Sequence, residues 1–540
     1  MEEKKPVKKQ SFLQGAAVLA AATMIVKLIG AIYKIPLKMI IGETGYGYFT
    51  TAYDIYSVLL MISTTGLPVA MSRMISEAQT LENHDQIRKI FRVALRVFLV
   101  IGVVGSLSML LLAKPLSVMM TTFDTSWAAI AVLAPSVLFI CVISAFRGFF
   151  QGQSNMAPTS VSQVFEALCK LFIGLAAAWF IMRVTFNPLT GEGNTTLGAG
   201  GAILGVTIGC VVSMLYLWSR YGKAVRNMPT GGQVKSGKAT MVQLLSIAIP
   251  ITLGSAGLQI INTVDTMVFM RRLVNAVGMV QAEAESVKGI YNFCQTIFNL
   301  PCAFITPITI SIIPAITSHL TMQNRRGAQM VESSAMRITG LIAMPCALGL
   351  ASLAAPIMYL FGDRGDQLAL SGQIMFFLGV AVIFNSLVLV TNAMMQAHGD
   401  VTTPVIHMII GGAVKVILNY FLVGIPSLNI VGAAMGTLVC YALITALNIW
   451  SMVRRRIVEP SIFRGLGKPL LAAVLMGVVA YMADSFLAAH LSPNLACLLS
   501  IAFAALVYLV LAVAFQALTY DDCMLLPAGE KIAKILRVRR

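Results

Sequence analysis

The sequence predicts an all-α integral membrane protein of about fourteen transmembrane helices, built as two six-helix lobes related by a parallel repeat, with two extra C-terminal helices. Three observations predict it. The chain is 58% hydrophobic and only 11% charged, against roughly 25% charged in soluble domains. Its basic residues gather in alternate loops, as the positive-inside rule requires. And the stretch Gln151–Lys170, QGQSNMAPTSVSQVFEALCK, returns in weaker form at Gln396–Lys415, QAHGDVTTPVIHMIIGGAVK. Each copy runs from Gln through a polar turn and a Pro (Pro158, Pro404) into an apolar helix carrying one Lys.

Taken in order, apolar runs of spanning length lie near 11–34, 47–70, 92–112, 127–147, 158–182 and 200–219, then 243–269, 287–313, 334–355, 371–396, 403–424 and 430–452, and finally 467–488 and 494–517. Runs of this length exclude an outer-membrane barrel, whose strands alternate over about ten residues. The N-terminal run continues past the length of a signal-peptide core and reads as an uncleaved first span. One set of loops holds most of the basic residues, among them Arg88, Lys89, Arg220, Lys223, Arg325, Arg326, Arg454 and Arg455. The opposite set holds Lys34, Lys38, Lys114, Arg183, Arg271, Arg272 and Arg364. Both termini are therefore expected in the cytoplasm of a bacterium, the chain being multi-pass in its cytoplasmic membrane.

The repeat continues outside the opening pair. GAILG (201–205) leading to Trp218-Ser219 matches GAAMG (432–436) leading to Trp450-Ser451, and LAKPL (112–116) matches LAAPI (353–357). Spans one to six thus correspond to seven to twelve. Because six is even, both halves enter from the same side, an arrangement found in transporters. The domains are drawn at 1–225, 226–458 and 459–540, the last being the extra helix pair and a basic tail.

The net charge of +17 follows loop topology, so no nucleic-acid partner is expected. The nine cysteines show no metal-ligand spacing and read as small buried hydrophobes. GQVKSGK (232–238) lacks the Ser/Thr and the preceding strand of a phosphate-binding loop. No catalytic or metal site and no cofactor is predicted, and the chain does not read as an enzyme.

RGFFQGQSNMAPTSVSQVFE (147–166) and TGLPVAMSRMISE (65–77), together with the repeat, resemble the multidrug/oligosaccharidyl-lipid/polysaccharide (MOP) exporter superfamily. The closer resemblance is to its stage V sporulation protein B branch, related to MurJ-type lipid II flippases and polysaccharide flippases. The resemblance covers essentially the whole chain. It implies two lobes around a central cavity and alternating-access transport of a lipid-linked sugar precursor, with spans thirteen and fourteen holding the lipid tail. Where MurJ-type proteins carry cavity arginines, this chain has Lys27, then Tyr33 beside Lys34, and Thr296. The substrate implied is a pyrophosphate-linked lipid as a class, such as an undecaprenyl-pyrophosphate sugar. Coupling to Na+, H+ or the membrane potential is an open expectation, and the protein is expected to act as a monomer among membrane lipids. The alternative is a cation-coupled multidrug exporter of the same superfamily.

Cations inside spans are the expected mark of an anionic cargo, because a charge in hydrocarbon normally faces a wet, protein-lined cavity. Lys170 and Lys415 lie ~17 Å along their helices from Pro158 and Pro404. Glu166, one turn before Lys170, is placed to pair with it; the matching position before Lys415 is Gly411. Lys27 in span one and Asp54 in span two are read as an outer pair, either gating or structural. Asp265 and Lys288 lie near the outer ends of spans seven and eight, as gating groups or solvated helix ends. Arg147, Gln151 and Gln396 mark the cytoplasmic mouth. Pro301, Pro307 and Pro314 suggest a bent gating helix in span eight.

Overall fold

In the computed structural model, residues 12–153, 155–186, 193–226, 228–229, 232, 234–458 and 465–517 are described. The basic N-terminal and C-terminal tails lie outside them. The described residues form helices and turns, with no strand among them. Among the described residues, ten helices are long and apolar enough to cross a membrane. Their outward faces are apolar: on the helix His84–Leu111, Val100, Val103, Val104, Leu107 and Leu111 are exposed at helical spacing, a pattern suited to lipid rather than water.

The chain divides into two compact units, Met1–Val274 with Val280–Gly289, and Asn275–Met279 with Ile290–Arg540. The first holds α1 (Phe12–Thr64), α2 (Gly66–Thr80), α3 (His84–Leu111), α4 (Ala113–Thr121), α5 (Trp127–Gly152), α6 (Ala157–Cys169), α7 (Leu175–Val184), α8 (Thr195–Arg226) and α9 (Gly237–Arg272), with the start of α10 (Gln281–Thr321). The expected spans one and two are one helical stretch broken at Gly42, whose φ of 69° is the left-handed conformation that glycine tolerates. The second unit holds the rest of α10, then α11 (Arg325–Ser352), α12 (Ala354–Leu360), α13 (Gly365–Ala397), α14 (Thr402–Leu422), α15 (Val431–Arg454), α16 (Gly467–Ala488) and α17 (Pro493–Ala514). The extra pair α16 and α17 pack on each other and on α11.

This packing division differs from the boundary drawn at 225. α9 corresponds by sequence to the first span of the second half, yet it packs on α1 and α2. A Cβ at Gly66 would meet the Ala248 carbonyl at 2.2 Å, so the backbones of α2 and α9 approach as closely as small residues allow. The repeat records kinship of sequence; the compact units record which helices touch.

The repeat is visible in backbone detail. Before α3 stands Glu82 at φ 52°, and before α11 Gln323 at φ 55°. Each is followed by an Asn cap: Asn83 accepts from the Gln86 amide at 3.0 Å, and Asn324 from the Gly327 amide at 2.9 Å. Both side chains satisfy one of the donors that a helix start leaves unpaired. α3 and α11 also end alike, at Leu112 and Leu353, each turning into a short helix. Pro158 sits in the first turn of α6 and Pro404 in that of α14, where a missing amide costs nothing. One feature is not repeated. After Cys169 the first unit's helix widens into a π-helical turn, Lys170–Gly174, whereas α14 is α-helical through Lys415.

Candidate functional site: a cationic cavity in the first unit

The π-turn opens at Lys170, and such turns are frequent at functional sites. Its position is set by a close helix crossing. A Cβ on Gly205 of α8 would fall 2.4 Å from the Gly174 amide nitrogen, and one on Gly174 would fall 2.8 Å from the Ala202 carbonyl. The small-residue run GAILG is therefore what lets α8 lie against the π-turn.

Lys170 Nζ lies 4.9 Å from the Tyr33 ring centre, 4.6 Å from Tyr53 and 5.8 Å from Phe49. Three ring faces thus turn their negative quadrupoles toward one ammonium. Phe49 packs at 4.8 Å on Tyr53 and at 6.0 Å on Tyr33, and the Tyr33 hydroxyl donates to the Ala202 carbonyl at 3.2 Å. Among the described residues no carboxylate pairs with Lys170. The rings were legible in principle: Tyr46, Phe49, Tyr53 and Tyr56 recur at spacings of three, four and three, one face of a helix, though such a stripe more often marks core.

A cavity of about 450 Å³ opens beside the amine, lined by Lys27, Tyr53, Tyr56, Arg147, Glu166 and Lys170 among others. Four of the predicted site residues thus meet in one place. The pairing expected for Glu166 is corrected. Its carboxylate accepts from Arg147 Nη2 at 2.9 Å, and Arg147 Nε also donates to the Ser162 hydroxyl at 3.0 Å. The neighbouring helix α5 supplies a nearer and planar cation than Lys170 does. Arg147 is thus an internal partner, not an anchor at the membrane surface. The pair is partly solvated, with side-chain exposures of 12% and 24%. Arg147→Ala is therefore expected to lower stability by about 2 kcal/mol, below the 3–5 kcal/mol of a fully buried pair, with Arg147→Lys recovering part of it; thermal unfolding in detergent measures both.

The Lys27–Asp54 pair is also corrected: Asp54 pairs with Lys288 at 3.3 Å, and the same amine donates to the Thr51 hydroxyl. Lys288 is fully buried, and Asp265, expected near a solvated helix end, is 3% exposed. Lys288 lies inside the first unit because the start of α10 docks on α1, and Asp265 because α9 packs on α1 and α2. A Cβ on Gly289 would meet the Glu43 carbonyl at 2.0 Å, and one on Gly47 the Glu285 carbonyl at 2.3 Å.

In the second unit, Lys415 is half-buried on α14, within electrostatic reach of Tyr441. Gln151 is half-buried and Gln396 exposed, each at the end of its helix. α10 is helical through positions 301, 307 and 314; Pro301 is buried, and the Pro307 and Pro314 side chains lie outside the described residues. Sequence reading missed a buried network here. Asn448 donates to Thr391 and to Asn392, each at 2.8 Å, and its carbonyl oxygen lies 2.7 Å from His407 Nδ1. By the repeat, Asn392 and His407 correspond to Arg147 and Ser162, so where one unit has an arginine–carboxylate pair the other has an amide–imidazole–hydroxyl network.

Comparison with known proteins agrees with this architecture. The family described as "Polysaccharide biosynthesis protein" matches residues 12–320, and the MatE family matches residues 250–421. The chain is 27% identical over 446 residues to the lipid II flippase MurJ of Bacillus subtilis (strain 168), covering 79% of this chain and 80% of that protein. It is 25% identical to stage V sporulation protein B of the same organism, over 96% and 98% of the two chains. A solved structure of lipid II flippase MurJ in an inward closed conformation superposes with a TM-score of 0.70 at 15% identity, covering 94% of this chain and all of that one. The chain belongs to the polysaccharide biosynthesis protein family and is a multi-pass membrane transporter of the MOP exporter superfamily.

Proposed function

We propose that the protein flips a lipid-linked oligosaccharide or cell-wall precursor, an undecaprenyl-pyrophosphate sugar with lipid II among the candidates, across the bacterial cytoplasmic membrane by alternating access. The observation that carries this reading is Lys170, an ammonium held by three aromatic rings on the wall of a cavity, with no carboxylate partner among the described residues. A pyrophosphate is the kind of guest that such a cation stabilises away from water. Lys27 lines the same cavity, and Lys415 occupies the repeat position of Lys170 in the other unit. The cavity takes the polar head, and the lipid tail stays on the bilayer side, where the resemblance places it along spans thirteen and fourteen.

Native mass spectrometry of the detergent-extracted protein tests the reading. Retention of undecaprenyl pyrophosphate species over undecaprenol is expected; equal retention of the two overturns it. Lys415→Ala is expected to abolish head-group translocation in proteoliposomes while the protein still inserts, and normal transport by that variant counts against a role for the repeat lysines. The match to the MatE family and the ring-lined wall favour a second reading, a cation-coupled multidrug exporter. Tight binding of organic cations with indifference to lipid pyrophosphates would select it.

A further inference from the structure

At the docked start of α10, Glu285 is fully buried and neither carboxylate oxygen has a hydrogen-bond partner among the described residues. The groups facing it are Lys288 on its own helix, Asp54 and Tyr48 on α1, and Thr121 on α4. None neutralises it. Lys288 is held by Asp54 and Thr51, and the Thr121 hydroxyl donates to the Ser117 carbonyl at 3.1 Å. An ionised carboxylate left so is strongly disfavoured and becomes neutral instead. Geometry also selects the neutralising species. A Cβ on Gly47 would lie 3.2 Å from Glu285 Oε2, which leaves little room for the oxygen shell that a metal cation requires. Among the described residues no cluster of three or more His, Cys, Asp or Glu gathers there. A proton needs no such shell.

We propose that Glu285 is a proton-binding site, and that its protonation holds the first turns of α10 against α1. With the proton bound, the neutral side chain fits the dry slot at the Gly47–Gly289 crossing. When the proton leaves, the carboxylate requires water, and residues 281–289 separate from α1 to admit it. Lys288 and Asp54, whose pair spans the same contact, are drawn apart in that step. The switch stands on the face opposite the basic loops, so the proton comes from that side.

Hydrogen exchange on the full-length protein in lipid nanodiscs tests this without any substrate, so it can fail while the flipping reading stands, and the reverse. After correction for intrinsic exchange, protection of the 281–289 amides is expected to fall about tenfold or more between about pH 6 and about pH 8.5 in the wild type. In Glu285→Gln, and in Glu285→Met as a second neutral variant, protection is expected to stay flat, while Asp54→Asn keeps the fall. A flat wild-type profile overturns the proposal whatever the variants do. So does a parallel fall in a neutral Glu285 variant, or a fall that survives Glu285→Gln but vanishes in Asp54→Asn, which would put the proton on Asp54.

Discussion

Lys170→Met is expected to slow head-group flipping about 30-fold or more while leaving the amount of folded protein unchanged. The methionine keeps the apolar stem that packs among Tyr33, Phe49 and Tyr53 but removes the ammonium. A hydrogen bond to a charged group is worth about 2 kcal/mol, and each 1.4 kcal/mol is about tenfold in an equilibrium or rate. Lys170→Arg should retain most activity, since the ring faces accept a guanidinium at least as well as an ammonium. Fluorescent or isotopically labelled lipid pyrophosphate in proteoliposomes gives the rate. Wild-type flipping by Lys170→Met, at matched insertion, would make the rings a purely structural seat for the lysine and remove Lys170 from head-group binding.

Gly205→Val is expected to cost about 3 kcal/mol or more and to reduce sharply the yield of monodisperse protein. Its Cβ would sit 2.4 Å from the Gly174 nitrogen and 2.6 Å from the Gly174 Cα, against backbone that cannot rotate aside. Overpacking usually costs 1–3 kcal/mol, and here the π-turn itself would have to move. Gly222→Ala on the same helix is the matched control: nothing lies within 4 Å of its Cβ, and alanine favours helix by about 1 kcal/mol over glycine. Thermal stability followed by size-exclusion chromatography should therefore move in opposite directions for the two variants. Equal behaviour would mean that α8 does not hold the turn in place.

Much of the fold was legible because the bilayer reduces helix length to arithmetic. The stretch read at 467–488 is α16, Gly467–Ala488, since hydrophobic length alone decides an unpartnered span. The midspan lysine at 170 was found by its depth, and the repeat by its Gln–Pro–Lys pattern. Partners were harder. The i,i+4 rule offered Lys170 to Glu166, but Arg147, nineteen residues away on α5, has the better geometry. Spacing along a helix says nothing about which neighbour lies alongside. Glu285 went unnoticed because it precedes the apolar run of its span and reads as a loop acid; only the docking of α10 on α1 buries it. Likewise α9 follows the repeat in sequence but packs on α1 and α2, a choice made by small-residue surfaces that no periodicity announces.

The widened turn at Lys170–Gly174 has a consequence for how this polypeptide tolerates changes of length. A π-turn accommodates an extra residue within an otherwise α-helical run, so deleting one residue there would let α6 and α7 join as an ordinary helix. The helix downstream would keep its facing, because the residue lost is the one the wide turn had absorbed. Trp179 and Arg183, now stacked with the guanidinium 4.6 Å from the indole centre, would stay on the side of the helix they occupy. The second unit holds no such slack in α14, so a single-codon loss beside Lys415 would shift that helix's register with nothing to absorb it.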